Sequence, residues 1–183
     1  MSGGEKVCDE LGVRLVSVDS ESQYQEQPIL RGVNITTDLL ARDILECDVY
    51  INLPCLKHHS ATNVSLAMKN QMGANFDRQR YHQVGSSGSA GQNLHQNIAD
   101  LATALRPTLT IMDATRALTT NSPKGPGNVK RMDTIIVSHD MVAADALGTQ
   151  MLGYSLDEVA HVRLAGDAGV GSYDLDSLKI ARV

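Results

Sequence analysis

The alternation of apolar and polar residues divides this chain into short strands and amphipathic helices. LHQNIADLATALR, 94–106, is the clearest helix: Leu94, Ile98, Leu101 and Leu105 fall on one stripe and Pro107 ends it. GEKVCDEL reads as a short helix stopped by Gly12, and VRLVSVD, 13–19, alternates and is β-branched, which predicts a strand. Residues 20–36 are polar loop, with PILRGVNI offering a short strand. In TTDLLARDILECD, Thr37 is a helix cap and Leu39, Leu40, Ile44 and Leu45 recur at helical spacing. DVYINLP predicts a strand over 48–53 stopped by Pro54. A loop carrying Lys57 follows, then a helix over 63–72 ended by Gly73. Residues 73–92 carry a Gly/Ser cluster and no apolar stripe, the signature of a long mobile lid. LTIMDA and DTIIVSH are strands separated by the loop TTNSPKGPGNVK. MVAADALGTQMLG and a segment around 156–167 are helices, and SLKIARV is a last strand.

Strands alternating with helices predict an α/β fold, a three-layer sandwich whose mainly parallel sheet is flanked by helices. Ligands of such sheets bind outside the carboxyl ends of the strands. Four strands finish on polar residues: Asp19, Asn52, Asp113, and His139 with Asp140. Parallel pairing would gather those ends along one edge.

Composition narrows the field. With 183 residues, 42% of them hydrophobic, one core can be buried, and residues 1–183 read as one domain without repeats or a linker. One Phe and no Trp leave the core to Val, Ile, Leu, Ala and seven Met. A net charge of −5 without a basic run argues against nucleic acid as partner. No apolar run reaches membrane-spanning length, and no signal-peptide core opens the chain if Met1 is the true start. The default compartment is then the cytoplasm, or outside it if a leader precedes this sequence. Cys8, Cys47 and Cys55 form no CxxC, so no motif for a zinc ribbon or cluster lies within the chain. Cys55 stands out only because Lys57 is two residues away.

Against this acidic background, INLPCLKHHSATNVSLAMKN gathers Lys57, His58, His59, Lys69 and Asn70. Solvated surface charges and a helix dipole favouring Lys69 are the plain explanation. The functional alternative aims two ammonium groups and an imidazole at one anionic or carbonyl-bearing ligand, with Asn70 donating an amide. His82 lies in the expected lid beside Arg78 and Arg80, and His95 opens the helix 94–106. HExxH is absent, which leaves a metal only as an assembly of distant His59, His82, His95 and Asp113. No phosphate loop, dinucleotide fingerprint or GxSxG elbow is present. At an ordinary pKa near ~6.5, His59 would make anion binding weaken as pH rises through neutrality.

Six stretches occur in an order that resembles the family called domain of unknown function 362: INLPCLKHH, LAMKNQMG, LHQNIADL, LTIMDA, TNSPKGPG and DMVAADALG. The resemblance covers about residues 37–183, and an upstream strand–helix segment of the family is expected to be missing. Matching positions are Lys57, His59, Lys69, Asn70, His95, Asp100, Asp113, Asp140 and Asp145. Ser122 stands where the family has the glycine of NGP, and Met141 where a proline follows the aspartate. Because the family is often found alongside iron–sulfur ferredoxin modules, the resemblance implies a ferredoxin-type partner carrying the cluster. The expected function is a pocket for an anionic small molecule or cofactor, with redox or group-transfer chemistry. Lys57 and Lys69 would neutralise ligand charge, His59 or His95 would shuttle a proton, and Asp113 would orient one of them. Asn52, Asn70, His82, Asp140 and Asp145 would line the ligand. The rival expectation is a non-catalytic module that docks the ferredoxin-type domain. Self-association through an unpaired sheet edge is expected with either.

Overall fold

The computed structural model describes residues 3–85, 90–122 and 125–183. The described residues form two sheets. β1 (Tyr24–Pro28) and β2 (Thr37–Ala41) form an antiparallel pair. The main sheet contains β3 (Ile51–Asn52), β4 (Cys55–His59), β5 (Asn63–Ser65), β6 (Leu109–Leu118) and β7 (Val129–Ser138). β3 and β4 both run parallel to β6, while β5 pairs antiparallel with β4 and β7 antiparallel with β6. The fold is thus an α/β sandwich built on a mixed sheet.

β3 and β4 act as one strand interrupted at Pro54. Side chains from Ile51 to Leu56 alternate between exposed and buried without a break, and the Pro54 carbonyl accepts from Asp113 N–H at 2.9 Å. The same alternation in β6 sends Thr110, Met112 and Ala114 to the buried face. α6 (Met141–Met151) lies on that face. A side chain at Gly148 would meet Leu56, Leu66 and Met112 within 3.4 Å, so glycine permits the close approach. α3 (Ala67–Asn70), α5 (Ala90–Ala104) and α7 (Ala160–Asp167) pack around α6 and one another, burying Met68, Leu94, Ile98, Leu101 and Val162. On the opposite face Ile51, Leu53, Cys55, Asp113, Ile135 and Val137 are exposed.

Several sequence expectations change. Residues 13–19 form no strand and leave Val13, Leu15 and Val16 exposed, because no neighbouring strand pairs with them. Thr37 begins β2 rather than capping a helix, and the helix that follows, α2 (Arg42–Glu46), starts five residues later. Lys57, His58 and His59 lie in a strand, not a loop. The expected helix over 63–72 begins as β5 and becomes helical only at Ala67. Residues 178–183 form no strand. The lid reading fails over 73–85: Ala74, Asn75 and Tyr81 are buried and Arg80–Gln83 is helical, designated α4. Its Gly/Ser centre, 86–89, lies outside the described residues, as do positions 123–124 of the TNSPKGPG loop. Finally, β7 is antiparallel to β6, so Ser138 faces Thr110 at the start of β6. The polar ends of these strands therefore do not share one edge.

Candidate functional site

α3 is one turn long and too short to hold itself. Two side chains from other elements fix it. Asp145, fully buried on α6, accepts Ala67 N–H on Oδ1 at 2.7 Å and Met68 N–H on Oδ2 at 3.0 Å. Burial pushes this carboxyl up to about 7, against the two backbone donors and with a smaller upward push from Asp140. Asn52 grips the other side: its Nδ2 donates to Ala67 O at 2.9 Å, and its Oδ1 accepts from Asn70 Nδ2 at 2.8 Å. Three residues expected to line a ligand, Asn52, Asn70 and Asp145, thus position the turn that carries Lys69.

Lys69 is buried, and its Nζ contacts Met72 Sδ at 3.6 Å. No salt bridge to it is formed among the described residues. Desolvation, reinforced by the charge of Lys57, brings the ammonium down to about 8. Around it stand four imidazoles that feel its field. His59 is lowered to about 4 by burial, then by Lys69, His82, His58 and Lys57. His82, exposed at the rim on α4, and His95 on α5 are lowered by burial and then by Lys69. His161, fully buried on α7, is pushed furthest down, by burial, His95, Lys69 and His59. The sheet and three helices therefore bring Lys57, His59, Lys69, His82 and His95 into one electropositive neighbourhood. His59 is neutral at pH 7, so it cannot produce the pH dependence through neutrality expected of an ordinary imidazole.

Asp113 lies elsewhere. It alternates with buried Met112 and Ala114, faces the open side of the sheet, and accepts Thr115 N–H and Oγ1–H at 2.8 and 2.7 Å. Those bonds hold its carboxyl below the usual range. No hydrogen bond or ion pair joins it to Lys57, His59, Lys69 or His95 among the described residues. Asp140 caps α6, accepting Val142 and Ala143 N–H on Oδ1 and Ser172 N–H on Oδ2 at 2.7 Å. Gly171 approaches it so closely that a Cβ would sit 2.0 Å from Oδ1. Asp100 gathers the backbone N–H groups of Val33, Asn34 and Ile35 at 2.8–3.0 Å. It fastens the loop between β1 and β2 to α5.

The sequence reading missed His161. A histidine between Ala160 and Val162 on a helix stripe that also buries Ala165 was the available signal, since an apolar stripe tolerates an imidazole only when it has partners. Asp38 was missed as well; it receives the hydroxyl of buried Tyr81 at 2.5 Å and the guanidinium of Arg80 at 3.4 Å.

A cavity of about 460 Å³ borders the cluster at His95 and is lined also by Asn34, Asn93, Gln96, Val33 and Leu164. A larger hollow of about 710 Å³, lined by Asp167, Asp174 and Asp176, touches none of these cations. Among the described residues no three His, Cys, Asp or Glu side chains converge as metal ligands.

The family model described as Domain of unknown function (DUF362) matches residues 1–150, more than half of the chain. The chain belongs to that family. The DUF362 match includes β3 through α5 and most of α6, hence Lys57, His59, Lys69, His95 and Asp145, and stops before His161. The chain is similar to "Thylakoid-associated protein sll1697" of Synechocystis sp. (strain ATCC 27184 / PCC 6803 / Kazusa), with 26% identity over 113 residues. That alignment covers 62% of this chain and 35% of the relative, so the chain matches about a third of the relative's length. No solved structure matches the chain. No helix among the described residues is long and apolar enough to cross a membrane.

Proposed function

We propose that the neighbourhood of Lys69 is a binding site for an anionic small molecule. The observation that carries this reading is a buried ammonium, backed by Lys57, whose polar contact is a thioether rather than a carboxylate. A charge withdrawn from water is costly unless it is paired, and an arriving anion supplies the missing pair. His59 and His95 are neutral at pH 7 and offer N–H donors or acceptors rather than charge. A cavity borders this neighbourhood at His95. Redox or group-transfer chemistry beside an iron–sulfur partner rests on the family resemblance.

Thermal unfolding with inorganic phosphate, sulfate and oxalate tests the reading. Each wild-type response should weaken as pH rises through about 8, where Lys69 loses its proton. An anion at 100 times its Kd would stabilise by about 2.7 kcal/mol. Lys69→Met should abolish the response, and Lys130→Ala, on exposed β7, should leave it intact. If no anion stabilises the wild type, or if Lys69→Met responds equally, the site does not bind anions.

A further inference from the structure

His95 and His161 meet through their Nδ1 atoms at 2.8 Å, with the rings stacked at a centroid distance of 5.0 Å. The backbone N–H of His161 also donates to His95 Nδ1, at 3.2 Å. A backbone N–H can only donate, so His95 Nδ1 carries a lone pair and the hydrogen of the 2.8 Å contact belongs to His161. Neutral His95 then holds its proton on Nε2. Neutral His161 holds its own on Nδ1, which leaves Nε2 as a bare acceptor. That Nε2 is buried and has no partner among the described residues. Lys69, whose charge acts on both rings, is a buried donor without an oxygen or nitrogen acceptor among the described residues. Amine and imidazole nitrogen thus share a neighbourhood, the amine held only by the Met72 thioether and the imidazole nitrogen without a partner among the described residues.

We propose that Lys69 is a nucleophile that forms an imine with a small 2-oxo acid, Lys57 taking the carboxylate. This rests on the anion-site reading and adds a substrate class and a covalent step. A lysine is made nucleophilic by desolvation and by a second cation nearby, and both conditions hold at Lys69. At pH 7 about a tenth of such an amine is unprotonated, against fewer than about one in a thousand for an ordinary lysine. The neutral Lys69 amine attacks the ketone carbon while the carbonyl π pair moves to oxygen, which takes one of the two nitrogen protons to give a carbinolamine, leaving the second for His161. His161 Nε2 accepts a proton released by nitrogen and returns it to the departing hydroxyl. The nitrogen lone pair closes the C=N bond as water leaves. One amine and one ketone give one imine and one water, with no change of oxidation state.

The test is pyruvate with sodium cyanoborohydride, which reduces an imine to a stable secondary amine, on the full chain at pH 7. Peptide mapping by mass spectrometry should place the adduct on Lys69 ahead of every other lysine. Lys69→Arg should remove that adduct. Acetone, which has the ketone without the carboxylate, should label Lys69 about tenfold less, the equivalent of 1.4 kcal/mol. Pyruvate labelling spread over exposed lysines, with Lys69 unmodified in the wild-type protein, overturns the imine. Oxalate, an anion without a ketone, separates the two ideas by isothermal titration: oxalate binding without a Lys69 adduct removes the imine and keeps the anion site, and loss of both removes both.

Discussion

Replacing Lys69 by methionine should make the protein more stable. Lys69 is 9% exposed, and its ammonium titrates at about 8 instead of 10.5. That difference corresponds to about 3 kcal/mol by which the fold disfavours the charged form. The sign follows from proton uptake. Between pH 8 and 10.5 the unfolded chain keeps a proton on this lysine that the folded chain has released, so folding stability rises with pH across that window. Below about pH 8 the folded state bears the whole cost. Methionine keeps an unbranched side chain beside Met72 and has no charge to desolvate, so Lys69→Met should gain about 1–3 kcal/mol at pH 7. Urea denaturation of both proteins at pH 7 and pH 10.5, at fixed ionic strength, measures this, and the difference between them cancels the tyrosines that titrate at high pH. The gain should shrink towards zero at the higher pH. A variant less stable than wild type at pH 7, or a difference that does not change with pH, would refute the reasoning.

Four further outcomes are expected. Asp145→Asn exchanges one of two acceptors for an N–H donor facing Met68 N–H, so it should cost about 1–3 kcal/mol in urea denaturation; a neutral result would mean that α3 holds without its anchor. Asp100→Ala strands three backbone donors of the 33–35 loop and should cost at least about 2 kcal/mol and open that loop to proteolysis, whereas unchanged digestion would show that α5 does not fasten it. Asp113→Asn, on the open sheet face, should shift stability by under about 0.5 kcal/mol and leave the oxalate response unchanged; loss of that response would return Asp113 to the site. The His59 ring, followed by NMR, should titrate near 4, and a midpoint between about 6 and 7 would mean that water solvates the ring.

Lys57, His59 and Lys69, grouped in the sequence reading, stay together for a local reason. They are close along the chain, and β4, β5 and α3 are joined by turns too short to carry them apart. Asn52 and Asp145 were legible as polar residues on buried elements, but their work was not. Holding a four-residue turn requires knowing that the turn is four residues long, whereas the pattern from Val64 to Gln71 read as one longer helix. Asp113 was misplaced because strand direction is invisible in a periodicity. Alternation with Met112 could have assigned it to the face opposite Thr110, yet only the pairings show that helix α6 covers the Thr110 face. Thr37–Ala41 misled for another reason. Asp38 passed unremarked because its partners, Tyr81 and Arg80, lie 43 and 42 positions away and make an apparent helix start a buried strand position. His161 depended on the same kind of distant partner, 66 residues away on α5.

The uncovered face of the main sheet sets how this chain will behave in concentrated salt. Ile51, Leu53, Ile135 and Val137 stand on it together, each about half to two-thirds exposed. Sulfate is excluded from protein surfaces and raises the cost of leaving hydrocarbon wet. The chain should therefore precipitate at low ammonium sulfate saturation and be retained on a phenyl resin despite its net charge of −5. Threonine at Leu53 and Val137 suits a strand at both places, being β-branched, while its hydroxyl admits water. Such a chain should elute earlier and tolerate more salt, with the Lys69 neighbourhood on the other side of the molecule's main layer untouched.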